Sequence, residues 1–448
     1  MSAHPTGQDL PEIVAPPPGP RSRALAARLL AVESPAFEAR REARAEASDA
    51  EQTPIVYARG LGSNVWDEDG NRYVDMVAGF GALPFGHGHA PIMEAARAQS
   101  EKLVLALGDV YATEVKVALC ERLARLLPES GARVMLGMTG ADAVTAALKT
   151  AVLATGKPGV VAFEGCYHGL SYAPLAACGL NPGFRAPFRA QLGDHVTFVP
   201  YPRPDDDLDR VIAEARAAVR AGAGAILVEP LLGRGGCVVP HPELLRSLRR
   251  VCDEDGALLV ADEIWTGLGR CGAWLASMRD REKGVVPDLV CVGKALGGGF
   301  PISACVGRAA AMRAWGAHGG TAIHTATHFG WPVACAAALA TLGELEKHVA
   351  SGRLDLLFTF VKTLDRLGCT TDGLASGLGA MIGVHLGSAG RALRVARVLL
   401  ANGWIVLTGG VDGATLTLTP PLNISDELVA EFTTALVEAL RDVPLPGE

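Results

Sequence analysis

The chain has no CxxC spacing, no cluster of basic residues and no uninterrupted apolar run of membrane length. Each absence excludes something. Ten cysteines scattered over 448 residues without a CxxC pair argue against a structural zinc site and against a disulfide scaffold. They point instead to reduced thiols in a cytoplasmic enzyme, with no metal. Basic residues spread along a chain of net charge −7 leave no footprint for nucleic acid or for an anionic membrane surface. A membrane helix needs about 18 consecutive apolar residues, and no stretch approaches that. The polar, proline-rich start, Met1–Pro20, lacks the basic leader and apolar centre of a signal peptide and reads as a disordered arm. GxSxG is also missing, which removes a common hydrolase signature.

What remains is a globular composition, 49% apolar and 20% charged, at a length that favours two structural units. Ser22–Arg44 reads as helix, and Asn64–Val74 as two short strands around an Asp-Gly turn. Thr113–Leu127 puts Val115, Leu119, Leu123 and Leu126 on one helical face. Strands and helices then alternate. Strands are predicted at Arg133–Met138, Gly159–Phe163, Val196–Val199, Ala225–Glu229, Ala257–Glu263, Asp288–Lys294 and Ser303–Gly307. Helices are predicted from about Ala141 and over Pro242–Asp253. Several of the strands are near-continuous apolar runs, which predicts a mostly parallel sheet covered on both faces. Past Trp331 the texture changes to long helices mixed with strands such as Met381–Leu386 and Thr415–Leu418. The expected organisation is an arm over 1–20, a small domain from 21–90 joined by 331–448, and a large α/β domain over 91–330.

In such a sheet, ligands bind at the carboxyl ends of strands. Glu229, Asp262 and Lys294 each end an apolar run there. Any one of them is more simply the polar residue that opens a loop. Three together, each followed by glycines, point to a site. Lys294 lies in GKALGGGFP, which is not a phosphate-cradling P-loop, because no Ser or Thr follows the lysine. Glycines beside a lysine let the backbone pass close to a bulky planar ligand. A desolvated lysine is a good imine former. A carboxylate such as Asp262 against a pyridine nitrogen keeps it protonated and makes the ring an electron sink. Thr139, Gly140 and Ala141 open a helix after a strand, where a phosphate would find free amides, though an ordinary capped helix start fits equally well. Tyr167 and His168 in CYHG follow another strand end. Tyr167 could stack on a flat cofactor or be an ordinary half-buried loop tyrosine.

Together these segments resemble the class III, or ω-, aminotransferases of the pyridoxal phosphate (PLP)-dependent fold-type I group. The likeness runs through NVWDEDGNRYVD, GHGHAP, TGADAVTAALK, FEGCYHG, EPLLGRGG, ADEIWTGLGRCG, VGKALGGGFPISA, HTATHFGWPVACAAALATL and TPPLNIS, and is similar in texture to 4-aminobutyrate-type members. It implies an α/β fold-type I transferase with a seven-stranded-type sheet and a smaller α+β domain from both chain ends. It also implies a homodimer that moves an amino group from an amine or ω-amino acid donor to a keto acid or aldehyde in two half-reactions. By resemblance Lys294 is the Schiff-base lysine and Asp262 the pyridinium partner. Ile264 and Tyr167 flank the ring, and Gly140 and Ala141 hold the phosphate. Thr327 reaches the phosphate of the neighbouring subunit, and Glu229 is the acid of the substrate pocket.

Three departures matter. Trp265 stands where many members have a glutamine that bonds the cofactor's ring hydroxyl. Trp331 replaces the asparagine of a G-N-P motif. Thr417 replaces an arginine that commonly binds a substrate carboxylate or pairs with the pocket glutamate. Glu229 is then left to pair with Arg234, to turn toward solvent, or to face a cationic substrate group. Either the pocket prefers a substrate with an amine remote from any carboxylate or with a second amino group, and pyruvate or a small aldehyde as acceptor, or Arg234 or Arg270 has taken over the carboxylate. Two other activities compete. A racemase or epimerase of the same fold would use the same residues. A nicotinamide dehydrogenase would use Gly267–Gly272, which fits GxGxxG but does not directly follow its strand.

Overall fold

The structure, a computed structural model, describes residues 7–108, 110–280, 284–317, 319–351, 356–367 and 374–444. It divides into two compact units, Ala90–Leu354 and the joined chain ends Met1–His89 with Asp355–Glu448. The larger unit is built on seven strands: β1 (Arg133–Gly137), β2 (Gly159–Phe163), β3 (Val196–Val199), β4 (Ala223–Val228), β5 (Leu258–Asp262), β6 (Leu289–Val292) and β7 (Ser303–Gly307). Their order across the sheet is β1-β7-β6-β5-β4-β2-β3. β6, β5, β4, β2 and β3 run parallel, and β7 is antiparallel to both its neighbours. Every residue of β4, β6 and β7 is buried, as expected for strands covered on both faces. Helices Gly140–Thr155, Leu208–Arg220 and Leu244–Asp255 pack on this sheet. The small side chains Ala143, Ala146, Ala147 and Ala151 are buried on the first of them.

Three expectations change. Helix Pro332–Ala350 packs on helices Ala90–Lys102 and Glu114–Ala124 and on the turn at Lys294–Gly297, so the large unit ends after this helix and not at 330. Its buried side includes Val333, Ala334, Cys335, Ala337, Ala338 and Leu342, too apolar to face water. The predicted helix Ser22–Arg44 is two helices, Pro20–Leu30 and Pro35–Ser48. Pro35 cannot donate a backbone hydrogen bond and fits only a first helical turn. The arm expected to be disordered over 1–20 is tied down where it is described, residues 1–6 lying outside the described residues. Asp9 N donates to Asn64 Oδ1 at 2.9 Å, and Val14 N and Ala15 N donate to Asn71 Oδ1 at 2.8 and 2.9 Å.

In the smaller unit both chain ends meet in one sheet, where Trp404–Ile405 pairs in parallel with Arg72–Asp75. A second, antiparallel sheet orders Ala375–Leu378, Met381–His385, Thr415–Leu418 and Leu407–Gly409. Trp404 and Phe360 both pack on Phe432 of helix Asp426–Asp442. Among the described residues, no helix is long and apolar enough to cross a membrane.

Candidate active site

Glu229, Asp262 and Lys294 leave the adjacent strands β4, β5 and β6 and line one cavity of about 440 Å³. Thr139, Gly140, Ala141, Tyr167, His168 and Ile264 share that lining. The sheet produces this convergence, because parallel strands end on the same edge and their following residues turn into a common crevice.

Asp262 is buried at the end of β5. Its Oδ2 lies 2.6 Å from His168 Nδ1, and its Oδ1 accepts from Ile264 N at 3.1 Å. Burial by itself would depress His168. Cys166 and the Asp262 carboxylate override that and hold its pKa well above the ordinary histidine value. His168, which follows a strand end in CYHG, thus orients Asp262. The CYHG turn is fixed in its own right: Gly179 N donates to Cys166 Sγ at 3.3 Å, and the thiol donates to Ala177 O at 3.2 Å.

Lys294 has φ +23, a region disfavoured for any side-chain-bearing residue and tolerated where surrounding structure imposes it. Burial of its amine lowers its pKa to about 8. Asp262 and Glu229 oppose that shift, and Arg234 reinforces it. The amine lies 4.3 Å from the centre of the Trp265 ring. Trp265 also lines the cavity, and its Nε1 is buried with no hydrogen-bond partner among the described residues.

Glu229 Oε1 accepts from Tyr167 N at 2.7 Å, and its Oε2 accepts from Gly233 N at 3.0 Å. Burial raises its pKa to about 7, partly offset by His168. It neither turns to solvent nor forms an ion pair with Arg234 among the described residues. The Arg234 guanidinium instead lies 5.2 Å from the centre of the Tyr167 ring, a cation–π distance.

At the other wall, Thr139 caps helix Gly140–Thr155 in a reciprocal capping box with Asp142. Ser303 Oγ on β7 donates to Thr139 O at 2.6 Å and anchors the turn to the sheet. The amides of Gly140 and Ala141 are the first two of the helix and have no acceptor within it. A Cβ on Gly140 would come within 2.8 Å of Ile264 Cδ1, so glycine is what lets the helix start pack on Ile264.

Three predicted site residues lie outside this lining. Arg234 reaches it only through Tyr167 and its effect on Lys294. Thr327 sits exposed on a loop of the same unit. Thr417 is buried in the smaller unit, in the middle of strand Thr415–Leu418 and paired with Gly383 and Leu407. Arg270 is fully buried and is not part of the cavity wall. The Gly267–Gly272 segment folds on itself, with Leu268 N donating to Trp274 O, Gly269 N to Ala273 O and Gly272 N to Gly269 O. These amides are spent inside the turn, which disfavours a dinucleotide cradle. Sequence reasoning had noted Trp265 only as a departure and had not placed Leu170 or Ser171, which also line the cavity. The continuation of CYHG into LS was the available signal.

An amine whose pKa lies near neutrality, a buried carboxylate, a helix start with two unused amides and an aliphatic and an aromatic wall fit a phosphorylated pyridine aldehyde. The class-III aminotransferase family model matches residues 45–440. The chain belongs to the class-III aminotransferases. It is 35% identical to an acetylornithine aminotransferase of Methanosarcina mazei over 86% of this chain and 92% of that one. It is 34% identical to a 4-aminobutyrate aminotransferase of Mycobacterium tuberculosis over 94% and 99%. A PLP-bound amine transaminase from an uncultivated Pseudomonas species superposes with a TM-score of 0.79 at 27% identity, covering 88% of this chain and 96% of that one. The ornithine aminotransferase of Toxoplasma gondii gives 0.75 at 30% identity, covering 87% and 91%. This class-III aminotransferase is thus a fold-type I transaminase with pyridoxal phosphate as cofactor. The racemase and dehydrogenase readings draw no support from these relatives.

The lowered Lys294 pKa makes a prediction about the amine itself. Only the neutral amine adds to an aldehyde, so its reactive fraction should rise through pH of about 8, not through the ordinary lysine range. The rate at which added pyridoxal phosphate attaches to the cofactor-free chain, followed by absorbance across pH, checks this. A midpoint above about 10, where an ordinary lysine titrates, would contradict the desolvated environment.

Proposed function

We propose that this aminotransferase holds pyridoxal phosphate covalently through Lys294, with Asp262 at the ring nitrogen. The supporting observation is the pair itself: a lysine amine and a buried carboxylate at the ends of adjacent parallel strands in one cavity. When bound, the cofactor supplies an electron sink for the electrons left at the substrate's amino-bearing carbon. Asp262 keeps the ring nitrogen protonated, and the 2.6 Å contact with His168 Nδ1 holds the carboxylate in place. Lys294 Nζ, once free, carries the proton from the substrate's amino-bearing carbon. Gly140 and Ala141 amides, with Thr139, bind the phosphate at the positive helix end. Ile264 and Tyr167 confine the ring. Glu229 anchors Tyr167 from behind through the backbone amide it accepts from.

We further propose that the working unit is a homodimer in the cytoplasm. Thr327 is exposed and outside the cavity lining, as a residue serving a second copy would be. Its loop lies beside an exposed apolar run that includes Leu105, Leu107, Val110 and Tyr111: a Cβ on Gly108 would lie 3.7 Å from the Thr327 carbonyl oxygen. A run this apolar fits burial against a partner. The described cysteines form no disulfide, as a reducing compartment would keep them.

For the substrate, the placement of Arg234 supports the second of the two outcomes left open by Thr417. Its guanidinium stands against Tyr167 and acts on Lys294, with no acidic partner of its own among the described residues. We propose that it takes the carboxylate of the keto acid acceptor, a bidentate contact that Thr417 could not make.

Lys294→Ala should lower turnover by at least about 10³, since covalent and proton-transfer roles are lost together. Borohydride reduction and peptide mapping of the unmodified sequence should place the pyridoxyl group on Lys294, and a label on another lysine would refute the assignment. Arg234→Ala should raise KM for 2-oxoglutarate by about 10- to 100-fold, a loss of one charged contact, and leave a small aldehyde acceptor unaffected. Equal loss for both acceptors, or none, would show that the carboxylate binds elsewhere.

A further inference from the structure

We propose that Trp265 is a positioning residue: its indole face holds the ε-ammonium of Lys294 whenever that lysine is not bonded to the cofactor, and so fixes where the amine waits. The inference rests on the assignment of Lys294 as the attachment point.

The geometry carries it. Lys294 Nζ lies 4.3 Å from the centre of the Trp265 ring, inside the range of about 6 Å over which an ammonium is attracted to an aromatic face, and tryptophan is the strongest such partner. Among the described residues the amine makes no hydrogen bond and no ion pair, so the ring is the group that receives its charge. A buried ammonium without an acceptor is costly, and the quadrupole of the ring offsets part of that cost.

The ring is well placed to act as a fixed platform. Trp265 is 5% exposed. Ile264 N, one residue before it, donates to Asp262 Oδ1 at 3.1 Å. Thr266, one residue after it, donates through its hydroxyl to Glu263 Oε2 at 2.5 Å. Glu263 in turn accepts from Ala276 N and Ser277 N at 3.0 and 2.7 Å. The segment that presents the ring is therefore pinned on both sides. The lysine is constrained as well, by its φ of +23 between Gly293 and the 294–297 turn.

The charges around the amine come from several elements. Asp262 ends β5 and favours the ammonium, as does Glu229 after β4. Arg234, from the loop that follows β4, disfavours it. His168 faces Asp262 and tempers its charge. None of these lies within hydrogen-bond distance of the amine, whereas the Trp265 ring lies under it with its centre 4.3 Å away. Removing the ring's electron density should thus shift the lysine toward the neutral amine.

Simple truncation of Trp265 would also admit water and change desolvation, which moves the lysine in the opposite direction. Fluorination avoids that confusion, because it drains the face while nearly preserving volume. The full-length protein is prepared with tryptophan replaced by its mono-, di- and trifluorinated forms, and then freed of cofactor. The rate of attachment of added pyridoxal phosphate is measured against pH, and the label is mapped after borohydride reduction. We expect the pH midpoint to fall stepwise with fluorine number, by about half to one unit over the series. The same series in Trp265→Phe, where the other tryptophans still carry fluorine, should give a constant midpoint. A midpoint indifferent to fluorination in the unmodified sequence overturns the proposal, even if Trp265→Phe fails to fold. An equal fall in Trp265→Phe overturns it too, since another tryptophan would be responsible. Label on a lysine other than Lys294 would instead show that the attachment point is misassigned, and the inference would fall with it.

Discussion

At the end of β5 the Asp262 carboxylate is taken out of water, and the 2.6 Å contact with His168 Nδ1 fixes its position. A carboxylate that is to hold a charged ring nitrogen, the role proposed for Asp262, must be fixed in one place. The rest of the wall is arranged around that requirement. Cys166 and the turn it pins hold His168 in place. Ile264 begins the next turn by donating its amide to the same carboxylate. Lys294, one strand away, feels the resulting negative charge, but burial still brings its amine down to about 8.

Much of this was legible from chain order alone. Apolar runs ending in Glu229, Asp262 and Lys294 fix a strand-end crevice, because parallel strands present their carboxyl ends on one side. Thr139 and Asp142 likewise signal a helix start through a capping box. What stayed hidden depends on packing between segments distant in sequence. That His168 faces Asp262, 94 residues away, has no local signature. That Ser303 ties down Thr139 requires β7 to run antiparallel beside β1, a pairing no periodicity reveals. Helix Pro332–Ala350 follows a change of texture, and the change was misread as a boundary, although its apolar side belongs against helices Ala90–Lys102 and Glu114–Ala124. Proline chemistry did contain the break at Pro35, which was overlooked in favour of overall helical pattern.

The departures from the family pattern divide by location. Trp265 and Trp331 fall within the large unit and have visible work: the first meets Lys294, and the second donates its Nε1 to Val104 O at 2.7 Å, holding the apolar run beside the Thr327 loop. Thr417 lies in the smaller unit, buried in a sheet with its hydroxyl unpartnered among the described residues. Glu229 satisfies both carboxylate oxygens on backbone amides. That arrangement satisfies the buried acid without an ion pair to Arg234 among the described residues.

Central to the proposed chemistry is the charge that Asp262 would place at the ring. Nitrogen-15 NMR of the enzyme loaded with cofactor labelled at the ring nitrogen tests it directly, since the chemical shift separates the protonated from the neutral pyridine. The account predicts a protonated ring nitrogen in the unmodified enzyme at neutral pH and a neutral one in Asp262→Asn. A neutral nitrogen in the unmodified enzyme, or a protonated one that survives the substitution, would contradict it.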